Sequence, residues 1–299
     1  MNFLSTLATT FSLSLSPQTK GTLLASLGVL CLSFDSLFIR LADTSGWNII
    51  FWYSLFGSVF LFFYLLYSYG LGLFYIFANH YKLFLLFGLI SAVSIHCFIL
   101  SVTYTSVSNT VFILSTTSFV SAFLSYIFLR EKTPMRVLAS GLCASAGVVF
   151  ILQGGVGQGF FLGDLLAVVT TVCLSAVFVF FRAYPKIDHI VGILTGNVLA
   201  CVAAFWLASP LALASASYIY LFLMGFLLAP LSRIFLNLAS RFIVASEMGL
   251  IMILESILAP IWVWMALGEE PVRATLLGGA VILFSLVING YLALREQNS

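Results

Sequence analysis

The chain is a succession of apolar runs, each close to 20 residues long and separated by short clusters of charge, proline and glycine. A helix rises about 1.5 Å per residue, so a run of that length crosses the roughly 30 Å hydrocarbon core of a bilayer. Cutting at the polar clusters predicts ten segments: Gly21–Leu41, Gly46–Tyr69, Tyr81–Tyr104, Val107–Leu129, Met135–Gln153, Gly163–Arg182, His189–Ala208, Ser217–Ser240, Ser246–Leu267 and Arg273–Leu294. Composition excludes a water-soluble fold, since 7% of the residues are charged against about 25% in a soluble domain. The expected class is an all-α integral membrane protein whose solvent is the lipid bilayer. A net charge of +2, with no basic run longer than Arg130-Glu131-Lys132, excludes a nucleic-acid footprint. Cys31, Cys97, Cys143, Cys173 and Cys201 all fall in apolar stretches without metal-ligand spacing, so they read as free thiols, and no metal or cofactor is expected.

Orientation follows from the basic residues. With a cytoplasmic N-terminus, the inner loops and tails hold Lys20, Lys82, Arg130, Lys132, Arg136, Lys186, Arg241 and Arg295, and Arg182 sits at an inner helix end. Arg40 and Arg273 remain outside. Both termini are then cytoplasmic, and the expected location is the cell (inner or plasma) membrane.

The chain repeats itself. A shift of 142 lays Gly21, Leu23, Leu24, Ala25, Cys31, Leu32, Ser33, Phe38 and Arg40 on identical residues from Gly163 to Arg182. A shift of 138 lays Ser108, Ser118, Leu129, Glu131 and Gly141 on Ser246, Ser256, Leu267, Glu269 and Gly279. The division is an N-terminal cytoplasmic tail (1–20), a first repeat (21–153), a Gly-rich linker (154–162), a second repeat (163–294) and a cytoplasmic tail (295–299). Five segments per repeat is an odd number, so the second copy enters the membrane upside down, and inverted repeats characterise transporters.

The stretch from Glu247 through Glu255, Pro260, Trp262 and Trp264 to Glu269, followed by Leu277-Gly278-Gly279, resembles the end of the second domain in EamA-type members of the drug/metabolite transporter superfamily. Its first-half counterpart, Phe128-Leu-Arg-Glu131-Lys-Thr-Pro134 with Gly141 to Gly147, resembles the same signature. The resemblance implies ten spans as two inverted five-helix EamA repeats, cytoplasmic termini, and a central cavity lined by segments such as one, three, four, six, eight and nine. Ser118 and Ser256 depart from it, since many relatives carry proline there.

A charge within a span costs roughly 2.5–3.5 kcal/mol on insertion scales, so each needs a reason. Asp35, Arg40, Arg182, Arg233, Glu247 and Glu255 lie within the segments, and His96 joins them. Arg182 can snorkel to the headgroups. Arg40, its repeat mate, either inherits that place or lines an outer vestibule. Counted along their helices, Asp35 and His96 share a level roughly 21–22 Å from the inner ends, whereas Arg233 and Glu255 lie at roughly 10–13 Å. Glu247, Ile251, Glu255 and Trp262 form one stripe of segment nine, and Arg233, Asn237 and Arg241 one of segment eight. Pro230 and Pro260 are expected kinks. Glu255 and Arg233 are expected to border a central cavity, either paired or contacting the ammonium and carboxylate of a zwitterion; a static ion pair is the competing reading. Asp35, His96 and Glu255 are candidates for carrying a coupling proton, Asp35 and His96 otherwise being plain interhelical contacts. Trp47, Trp52, Tyr53 and Trp262 also suit interfacial anchoring.

The expected function is secondary transport of a small metabolite, an amino acid or similar amphiphilic or zwitterionic solute, by alternating access. The alternatives are a multidrug or organic-cation exporter on the same fold and a non-transporting membrane scaffold. Neither Gly-x-Ser-x-Gly nor His-Glu-x-x-His occurs, so an enzyme is not expected. The expected partners are the solute, lipid and a possible coupling proton, and the chain is expected to be a monomer or weak homodimer.

Overall fold

The computed structural model describes residues 16–130, 135–156, 160–184, 187–239, 242 and 245–297, and among these there is no β-strand. The helices are α1 Pro17–Ser33, α2 Asp35–Leu41, α3 Gly46–Tyr69, α4 Gly72–Asn79, α5 Tyr81–Tyr104, α6 Val107–Ser115, α7 Thr117–Leu129, α8 Met135–Val156, α9 Phe161–Ala183, α10 His189–Phe205 and α11 Ser215–Phe222. A π-helical turn, Leu223–Leu228, leads into α12 Ala229–Ala239, and α13 Ala245–Leu267 and α14 Arg273–Gln297 complete the chain.

Eight helical stretches are long and apolar enough to cross a membrane: Pro17–Leu41, Gly46–Tyr69, Tyr81–Tyr104, Val107–Leu129, Val137–Gly154, Phe161–Ala183, Ser215–Leu236 and Arg273–Leu292. His189–Phe205 and Ile251–Leu267 are shorter apolar helices, so among the described residues eight spans stand where ten were expected. The chain is a multi-pass membrane protein. Large apolar side chains such as Phe63, Leu142 and Phe284 point outward from it, as a lipid solvent allows.

Local signals set the helix boundaries. Ser16 caps α1 by accepting from the Thr19 N–H at 3.2 Å, with Pro17 in the first turn, so this helix starts before the expected Gly21. The expected first and fourth segments are each two helices, interrupted at Phe34 and Thr116. Helix α4 arises between two expected segments, because its Leu73 buries against Leu65, Phe84 and Val191. Helix α8 runs on to Val156, into the expected linker; Gly154 lets it approach α14, where a Cβ would meet the Ala274 Cβ at 2.5 Å. Residues 157–159 of that linker lie outside the described residues.

Helix α8 packs along α14, α9 along α5, α10 along both α3 and α5, and α12 along α1. The first of these contacts is glycine on glycine. A Cβ at Gly147 would stand 2.6 Å from the Gly278 carbonyl oxygen, and one at Gly278 equally close to that of Gly147. Backbones approach so closely only without side chains, the usual means of association where lipid removes the hydrophobic drive.

Candidate functional site

The site is built on the interruption at Phe34. Ser33 donates its hydroxyl to the Leu30 carbonyl at 2.8 Å, the chain turns at Phe34, and helix α2 restarts at Asp35. Trp262 of α13 braces this turn: its indole N–H donates to Ser33 Oγ at 3.0 Å, and its ring stacks on Phe34 at 5.0 Å and 11°. Trp262 therefore holds the interruption in place.

The turn fixes Asp35, which is 3% exposed and whose Oδ1 has no hydrogen-bond partner. Glu255 of α13 repels it and Arg233 of α12 attracts it through space. The Arg233 guanidinium also lies in hydrogen-bond reach of the Tyr53 hydroxyl of α3. Two carboxylates, one guanidinium and one phenol, carried by four helices, thus lie within electrostatic range of one another. Arg233 and Glu255 do not form an ion pair within 4 Å; among the described residues that contact belongs to Arg40 and Glu269.

The expected levels put Asp35 with His96 and Arg233 with Glu255. The structure instead brings Asp35 to Arg233 and Glu255, because depth along a helix says nothing about the direction a side chain faces. His96 shares its Nδ1 with the Ala92 carbonyl of its own helix at 2.8 Å, and its ring lies 5.8 Å from that of Trp47. Pro230 is the second residue of α12, one residue beyond the π-helical turn, which widens the backbone where proline has no N–H to give. Pro260 sits inside α13, which continues through it. The side chains of Asn237 and Glu247 lie outside the described residues.

A second polar cluster lies at the ends of the helices. Arg40 at the end of α2 donates to the Thr105 carbonyl at 2.7 Å and to Glu269 Oε1 at 3.3 Å, with its Nε 3.2 Å from Glu269 Oε2. Glu269 Oε1 also accepts from the Val107 N–H at 3.0 Å. Asp164, wholly buried at the start of α9, accepts at Oδ1 from the Thr105 hydroxyl at 2.6 Å and the Asn109 amide at 2.9 Å. The Thr275 hydroxyl donates to Asn109 Oδ1. Gly163 makes this approach possible, since a Cβ there would meet the Thr105 backbone nitrogen at 2.7 Å. Sequence reading missed Asp164 because it sits at a segment edge, where a charge needs no explanation; the polar pair Thr105 and Asn109, one helical turn apart, was the signal available.

Residues 19–153 match the family model described as the EamA-like transporter family, part of the drug/metabolite transporter superfamily. No curated protein matches the chain in sequence. A solved structure described only as a crystal structure of protein is similar in fold, with a TM-score of 0.66 at 15% identity, over 92% of this chain and 97% of that one.

Proposed function

Residues 19–153 being an EamA-like transporter domain, we propose that the whole chain is a secondary transporter that moves a small metabolite by alternating access through a central cavity. Its ten apolar segments then form two inverted repeats, with both termini in the cytoplasm. The packing supports this reading. Segment three lies along six as eight lies along one, four lies against six as nine lies against one, and two–seven, four–nine and five–ten are pairs between repeat mates. A twofold relation in the membrane plane produces this set of neighbours.

The observation that carries the function is the convergence of Asp35, Tyr53, Arg233 and Glu255 beside interrupted helices, the arrangement in which transporters hold substrate. Arg233, with Tyr53 at its side, offers a carboxylate its place, and the two acids offer one to an ammonium. Two acids against one guanidinium leave an excess negative charge, which favours a solute carrying an ammonium group: a zwitterion such as an amino acid, or an organic cation in the exporter reading. In the absence of solute a proton on Asp35 or Glu255 balances the charge, so proton exchange is the proposed coupling, with His96 outside this group.

A thermal-shift screen of the purified protein against amino acids, nucleosides and cationic drugs identifies the ligand, since whatever binds the folded state stabilises it. Uptake of that ligand into proteoliposomes is expected to fall at least tenfold in Glu255→Gln. Unchanged uptake by a folded Glu255→Gln protein sinks the assignment.

A further inference from the structure

We infer that the cluster of Arg40, Glu269, Asp164, Thr105, Asn109 and Thr275 is a latch that closes one end of the transport path and must come apart in every cycle. The inference rests on the transporter reading and concerns side chains other than Asp35, Arg233 and Glu255, at the far end of the short helix that Asp35 begins.

The connections run without a gap. Glu269 holds Arg40, Arg40 holds the Thr105 carbonyl, the Thr105 hydroxyl holds Asp164, Asp164 accepts from Asn109, and Asn109 accepts from Thr275. These residues come from α2, the turn between α5 and α6, α6 itself, α9, the turn after α13, and α14. The network therefore ties helices of both repeats together at one face. Helix α2 is the short piece beyond the interruption at Phe34, so the latch holds the far end of the segment that begins with Asp35. Releasing Arg40 frees α2 to pivot at Phe34 and uncover Asp35.

The composition suits a device that opens. The side chains of Arg40 and Glu269 are only 26% and 27% exposed and Asp164 is buried, yet Asp164 Oδ2 finds no partner and Arg40 Nε meets Glu269 without hydrogen-bond alignment. Incomplete satisfaction weakens a buried polar network, because water would complete it. A permanent structural joint has no use for such a deficit; a latch that exchanges its contacts for water does. The sequence places Arg182 and Glu131 at the repeat positions of Arg40 and Glu269, at the opposite face under the inverted arrangement. Glu131 lies outside the described residues.

The test is a distance measurement by double electron–electron resonance in nanodiscs, with spin labels at Asp43→Cys and Arg273→Cys and the five native cysteines replaced by alanine. With the latch intact, one short distance is expected. Glu269→Gln, Arg40→Gln and Asp164→Asn are each expected to raise a longer population at least fivefold, and the exchanged pair Arg40→Glu with Glu269→Arg to restore the short one. Distances unchanged in whichever of these variants folds overturn the latch, as does an exchanged pair that folds but stays open. Because the readout needs no solute, a chain that transports with unchanged distances refutes the latch alone, and one whose latch opens without any uptake refutes the transporter reading.

Discussion

Asp35 sits in a span with a bare carboxylate oxygen, and under the proposed mechanism it takes either a proton or the cationic group of a ligand. Asp35→Asn removes that choice. It is expected to abolish the dependence of uptake on an imposed pH gradient, measured in proteoliposomes, while leaving the fold intact. Tyr53→Phe removes the hydroxyl beside Arg233 but keeps the ring. Its expected effect is a several-fold rise in KM with kcat little changed, since a positioning contact to the arginine proposed to bind substrate is lost and the chain's movements are not. The acids and the arginine were legible in the sequence because charge is so scarce there. Tyr53 was not, because one tyrosine among 12 in an aromatic-rich chain reads as an anchor.

Interruptions of the helices decide where those side chains point. At Phe34 the turn is stapled by Trp262 through one hydrogen bond and one stacked ring. Trp262→Phe keeps the ring and loses the bond, at about 1 kcal/mol for a hydrogen bond, and the thermal midpoint is expected to drop by a few degrees with a larger fall in uptake. Pro230 works the other way. Pro230→Ala restores a backbone donor after the π-helical turn, so stability is expected to rise while turnover falls, as seen by comparing a thermal melt with initial uptake rates. The proline was visible as a kink in the sequence. The interruptions at Phe34 and Thr116 were not, since no proline or glycine marks either position and their local hydrogen bonds come from serine and threonine hydroxyls turned back on the helix.

On the scale of the whole molecule, the two halves meet where α8 lies on α14 at Gly147 and Gly278. Gly278→Leu forces side-chain atoms into a backbone contact and is expected to cost about 1–3 kcal/mol, the usual range for overpacking, read as a lower thermal midpoint in detergent. If both termini are cytoplasmic, a thiol reagent that cannot cross the membrane labels Asp43→Cys in intact cells and spares His80→Cys. By itself the sequence determined the solvent, the helices and most of their bounds, and the handful of costly charges. Each of these follows from local rules: run length against bilayer thickness, hydrogen bonding within a helix, and the expense of charge in hydrocarbon. Only the tertiary structure decided which of those charges meet. Asp35 came within electrostatic range of Arg233 and Glu255 rather than His96, and Asp164, at its helix edge, entered a buried network, because contacts between helices depend on rotation and approach, which lie in the packing of distant segments and not in any one of them.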